Sequence, residues 1–155
     1  MLVESGGRLR VPGESVHLSC WGSDFNFAIY SVLWYRQALG GSLQWLSYIN
    51  PDSSYIRYGS AVKGRATASR DNSKSKTALT LNNLHLQDSA RYFCAVLIDY
   101  VRWDWTDKLV FGSGTTLTVE PSNQKESDPE VVLIKSKAAE EGGSTGKAAC
   151  LARNF

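Results

Sequence analysis

The chain has 155 residues, 43% hydrophobic and 21% charged, with 17 basic and 15 acidic side chains for a net charge of +2. That length allows one ordinary domain and part of another. So small a charge excludes the strongly basic classes that bind nucleic acid or an anionic membrane, and no run approaches the roughly 18 apolar residues of a membrane span.

The chain opens on Met1-Leu2-Val3-Glu4-Ser5, with neither a charged nor an apolar leader, so any secretion signal or membrane anchor is expected outside it. Ser15 to Trp21 alternates: Val16, Leu18 and Cys20 on one face, His17, Ser19 and Trp21 on the other. "LWYRQ" around Trp34 reads as a strand, and Thr77 to Leu81 alternates with Leu79 and Leu81 inward. "DSARYFC" carries Cys94, and a mixed insert follows from Ala95 to Val110. Phe111-Gly112-Ser113-Gly114 then leads into a threonine strand with Leu117 and Val119 on one face. "SGG", "PGES", "LGGS", "PDSS" and "RDNSKSK" punctuate these runs as turns. Period-two patterning with frequent turns predicts an all-β sandwich or barrel of antiparallel strands. After Glu120 the composition changes. "PSNQKESDP" reads as a linker over 120–129, and two further strands, "EVVLIKSK" and "KAACLARNF", fall within 130–155.

Cys20, Cys94 and Cys150 make an odd count, compatible with one disulfide and a leftover or with three reduced thiols. No metal is expected, because no two cysteines are close and His17 and His85 stand at no ligand spacing. No cofactor motif and no Asn-X-Ser/Thr sequon occurs.

Cys20, Trp34 fourteen residues on, and Cys94 together resemble the immunoglobulin variable-type series. The resemblance implies a Cys20–Cys94 disulfide joining two sheets, Trp34 packed beside it, and Tyr92 as a tyrosine corner. "LVESGG", "WYRQALGGSLQWLSYI" and "VKGRATASRDNSK" are similar to an antibody heavy-chain variable domain over residues 2–94. In that family Arg65 and Asp88 hold the positions of a framework ion pair. Ala66 and Ala68 stand where larger apolar residues are usual, which predicts a thin lower core or filling by neighbours.

The closing stretch departs from an antibody heavy chain. Phe111 replaces the usual tryptophan, and "TDKLVFGSGTTLTVEP" resembles the joining segment of a T-cell receptor delta chain. The tail around Cys150 resembles the first strands of a delta constant domain whose second cysteine is absent. These resemblances imply a variable-type domain over 1–119, a linker over 120–129 and an incomplete constant-type segment over 130–155. They imply an antigen-recognition chain of a gamma-delta-type T-cell receptor, placed at the cell surface and anchored through a missing C-terminal part. Alternative readings are an unpaired single-domain receptor module and an antibody heavy-chain fragment.

By the same resemblance Tyr35, Gln37, Leu43, Trp45, Phe93 and Phe111 form the surface that pairs with a T-cell receptor gamma chain. Apolar Leu43 and Trp45 favour pairing, whereas Tyr35 also appears in unpaired domains. Three loops, about 23–31, 50–58 and 95–110, should cluster at one end and bind a protein or presented antigen. Their candidate contacts are Asp24, Asn26 and Tyr30; Asn50, Asp52, Tyr55 and Arg57; and Asp99, Tyr100, Arg102, Trp103, Asp104 and Trp105. Tyrosine and tryptophan bury large areas at small entropy cost, which suits recognition loops. Catalysis is not expected, since neither histidine is placed beside a nucleophile and a carboxylate. Arg70, Lys74 and Lys76 read as a solvated edge loop.

Overall fold

The computed structural model describes residues 1–98 and 108–122. Its strands are β1 (Leu2–Ser5), β2 (Leu9–Arg10), β3 (Val16–Gly22), β4 (Ser31–Gln37), β5 (Leu43–Ile49), β6 (Ile56–Tyr58), β7 (Ala66–Asp71), β8 (Lys76–Leu81), β9 (Ala90–Ile98), β10 (Lys108–Phe111) and β11 (Thr115–Val119). One sheet runs β1-β3-β8-β7; the other runs β2-β11-β9-β4-β5-β6, with β10 also paired to β9. This is the all-β immunoglobulin variable-type sandwich that the patterning and the Cys–Trp–Cys series predict. The linker beyond residue 122 and the constant-type strands expected around Cys150 lie outside the described residues.

The edge of the sandwich is closed by one chain segment that changes sheets. β1 pairs with β3 in the first sheet, and β2 pairs in parallel with β11 in the second. Gly6 and Gly7 make the crossing. Gly6 has φ +105°, and a side chain on either residue would run into the His17 or Thr116 carbonyl oxygen. Only glycine lets the backbones approach this closely.

The core lies between the sheets. Cys20 and Cys94 are disulfide-bonded across it, with Cα atoms 6.5 Å apart. Trp34, Leu18, Leu46, Ile49, Leu79 and Leu81 pack there fully buried. Ala66 and Ala68 both point inward, and Tyr58 reaches toward them: its hydroxyl accepts a hydrogen bond from the Ala68 N–H at 2.8 Å. Neighbouring side chains therefore compensate for the small residues.

The far end of the sandwich is held by a buried charge cluster. Asp88, 1% exposed, accepts two hydrogen bonds from Arg65 at 2.8 and 3.0 Å and one from Arg36 at 2.8 Å. The His85 N–H adds another at 2.7 Å. Tyr92 donates its hydroxyl proton to the Asp88 carbonyl at 2.6 Å, the tyrosine corner expected from its position. Burial alone would raise the Asp88 pKa. The bonds from Arg65, His85 and Arg36 outweigh it and hold the carboxyl at about 2. The second arginine, Arg36, was not anticipated from sequence.

Candidate recognition loops and pairing face

The Phe-Gly-Ser-Gly stretch sets the geometry of the loop end. β10 pairs Phe111 with Ala95, and β11 pairs Thr115 with Tyr92. Three residues, 112–114, thus stand opposite two, Phe93 and Cys94, so the closing strand carries a bulge. Buried Glu4 plugs it. One carboxylate oxygen accepts from the Cys94 N–H and the other from the Gly114 N–H, both at 2.9 Å. A side chain at Gly112 would collide with that carboxylate, and Gly114 has φ +93°. Glu4 was not foreseen. Alternation puts it on the same buried face of β1 as Leu2, and the site that receives its carboxylate forms only when β9 and the bulge come together.

Beyond the bulge, β9 and β10 continue as a ladder that pairs Ile98 with Lys108. Residues 95–98 and 108–110 are therefore strand, and the third loop is shorter than the expected 95–110. Asp99, Tyr100, Arg102, Trp103, Asp104 and Trp105 lie outside the described residues.

The first loop turns after β3. Phe27 is its plug, 1% exposed; the Phe25 ring lies 6.2 Å from it in a tilted contact, and Tyr30 packs on the other side of Phe25 at 5.9 Å. Asp24 and Asn26 are exposed, and Asp24 has φ +69°. Tyr30 is half-buried against Phe25, so it shapes the loop as well as presenting a ring edge.

The second loop is the turn 50–55, shorter than the expected 50–58, because Ile56–Tyr58 form β6. Asn50 accepts from the Tyr55 N–H at 3.0 Å and donates to the Ser54 hydroxyl at 2.9 Å. Asp52 accepts from the Ser54 N–H at 3.0 Å, and the Ser54 hydroxyl and N–H hold its carboxyl below the usual range. Asn50 and Asp52 thus fix the turn. The side chains presented outward are Tyr55 and Arg57, whose guanidinium lies 4.2 Å from the Tyr55 ring centroid.

Tyr48 joins that cluster without having been expected. Its ring meets Tyr55 at 5.8 Å and its hydroxyl is hydrogen-bonded to Ser31 at 2.7 Å. Alternation counted from Trp45 points Tyr48 inward. A bulge at Leu46 breaks the count: Tyr35 pairs with Trp45 but Trp34 with Ser47. Ser47 and Ile49 are therefore the buried residues and Tyr48 turns outward.

Arg70 corrects the reading of a solvated edge. Its guanidinium donates to the carbonyls of Phe27 at 3.0 Å and Asn50 at 3.1 Å, and to Asn72 Oδ1 at 2.7 Å. It also lies 4.8 Å from the Phe27 ring centroid. Asn72 in turn donates to the Pro51 carbonyl at 2.7 Å. One half-buried cation ties the first loop to the second. Lys74 is exposed, as expected, and Lys76 is half-buried with its ammonium 5.3 Å from the Trp21 ring centroid.

All six expected pairing residues fall on the outward face of the second sheet. Phe93, Tyr35 and Trp45 lie in one row across β9, β4 and β5, with Gln37 and Leu43 in the next row. Leu43, Trp45 and Phe111 are 46%, 37% and 40% exposed. Tyr35 packs on Phe111 with 5.4 Å between ring centroids. The polar ends are already partnered: Trp45 Nε1 donates to the Ser47 carbonyl and Gln37 Nε2 to the Gly41 carbonyl. What this face offers a neighbour is mostly apolar area.

A family model, that of the immunoglobulin V-set domain, matches residues 5–120. The chain belongs to the immunoglobulin V-set family. The V-set domain is generally a module of antigen recognition, typically extracellular. No helix among the described residues is long and apolar enough to cross a membrane. His17 is exposed on β3, bonded through Nδ1 to Thr80 Oγ1, and His85 begins the turn that carries Asp88.

Proposed function

We propose that this V-set domain is the antigen-recognition part of a gamma-delta-type T-cell receptor chain. It pairs with a gamma chain through the Phe93–Tyr35–Trp45 face and meets a protein or presented antigen with its loop end. The observation that carries the reading is the apolar row on one sheet, beside a Phe-Gly-Ser-Gly bulge of the delta-like joining type. The resemblance of 130–155 to the start of a delta constant domain supports the same assignment, and with it a native chain displayed at the cell surface. A second reading, the unpaired module, draws on Tyr35, whose ring packs on Phe111 and so covers part of the face from within the chain.

The recognition half is tested with reporter cells that carry the receptor and are challenged with a panel of cells and soluble antigens. Replacing 99–107 with a Gly/Ser segment of equal length should abolish responses and leave surface display unchanged. Responses that survive the replacement contradict the proposal.

A further inference from the structure

One row of residues crosses the second sheet on its core side. Trp34 on β4 pairs with Ser47 on β5, and Ser47 pairs with Tyr58 on β6. Trp34 and Ser47 are fully buried. Neither the Trp34 indole Nε1 nor the Ser47 Oγ has a hydrogen-bond partner among the described residues. No other buried side-chain nitrogen or oxygen of those residues is left in that state. The two stand at directly opposed positions. Same-face partners across a strand pair hold their Cβ atoms about 5 Å apart, so one small molecule can touch both.

The bulge at Leu46 is the reason a hydroxyl stands here. It turns Tyr48 outward, toward Tyr55 and Ser31, and turns Ser47 inward. An indole N–H is a donor only, whereas a serine hydroxyl both donates and accepts. Buried groups of this kind in folded proteins are nearly always paired, with protein or with ordered water, because a bare one forfeits its hydration.

We propose that Trp34 and Ser47 hold one internal water between the sheets. The water accepts the Trp34 Nε1–H and donates to the Ser47 Oγ. The chemistry of the site selects it. A cation is excluded by the N–H donor and the want of a carboxylate, and an anion by donors too few to offset its desolvation. The facing wall is short, since β7 packs across from β5 and presents Ala66 and Ala68 to the core. The Tyr58 hydroxyl, bonded to the Ala68 N–H, places Ala68 over this same row. A water occupies only about 30 Å³. Ser47 is thereby a positioning residue: its hydrated hydroxyl lets the domain carry the bulge that presents Tyr48 without a bare polar group in the core. The proposal is independent of the receptor reading, which rests on the outer face of this sheet and the loop end.

The test uses the whole chain. In NMR, the Trp34 indole proton should show a cross-relaxation peak with water, of the sign given by a long-lived internal molecule. Ser47→Thr and Ser47→Val have the same shape and differ by the hydroxyl. Ser47→Thr should keep the peak. Ser47→Val should lose it, and its unfolding constant in urea should exceed that of Ser47→Thr by about fivefold or more. A crystal structure separates a water from relay through the Ser47 hydroxyl: an oxygen should lie within hydrogen-bond distance of both Nε1 and Oγ. A parent chain with no water peak at this indole, or an ordered core with no oxygen at that place, would overturn the proposal whether or not the variants fold. A peak that survives in Ser47→Val would also overturn it, since Ser47 would then not hold the water.

Discussion

Asp88 concentrates more of the domain's electrostatics than any other described residue. Its carboxyl titrates at about 2 in the folded chain, against about 3.9 for an unperturbed aspartate. The folded state therefore binds this proton less readily than the unfolded state. Its contribution is present above about pH 4 and is lost as pH falls through about 2, some 2 kcal/mol in all. Asp88→Asn should cost roughly 3 kcal/mol at pH 7, because Arg36 and Arg65 would keep buried charges without a counter-ion. Urea denaturation from pH 7 to 2.5 checks both statements: the gap between parent and variant should narrow on acidification. A gap unaffected by pH would mean that the carboxylate is not what Arg36 and Arg65 stabilise.

Arg70 acts at the level of elements. It bridges the loop after β3 to the turn after β5 and belongs to neither. Arg70→Ala should raise backbone hydrogen exchange in 26–30 and 50–55 at least tenfold and leave β4 and β9 protected; Arg70→Lys should rescue it only in part, since a lysine lacks the planar fork. Exchange in the two loops that stayed at parental levels would remove Arg70 from this role. The same scale explains what was legible beforehand. β3, β8 and β11 were plain, because each alternates cleanly over a half-buried surface and is bounded by turn residues. Arg65–Asp88 and Tyr92 followed from framework resemblance. Tyr48 was not legible, since one extra residue at Leu46 reverses the parity of everything after it. Arg70 and Glu4 were missed for a shared reason. Each side chain is charged and sits in a strand of ordinary pattern, and its partners are backbone groups brought near only by the assembled fold. Asn50 and Asp52 were correctly placed in a loop, but their side chains hold the turn.

On the scale of the whole molecule, two constraints make the domain a platform. The first is the disulfide, which closes a separation of 74 residues. On the chain-entropy account such a loop contributes about 4 kcal/mol. Replacing both Cys20 and Cys94 with alanine should lower the urea midpoint by a corresponding amount, and a variant as stable as the parent would show that packing around Trp34 suffices alone. The second is the asymmetry of the two sheets. One outer face carries the mainly polar rows of His17, Thr80 and Thr67 and of Ser19, Ala78 and Ser69; the other exposes Leu43, Trp45 and Phe111 around Tyr35. An apolar row of that kind is what the proposed pairing would cover. Sedimentation velocity tests this most directly, run on the chain alone, mixed with gamma chains, and repeated with Leu43→Glu/Trp45→Glu. The expected result is a 1:1 complex with a gamma chain that the double variant does not form while remaining a folded monomer. A parent chain that sediments as a monomer in every mixture, indistinguishable from the variant, would contradict the pairing face and leave the unpaired module as the reading of this domain.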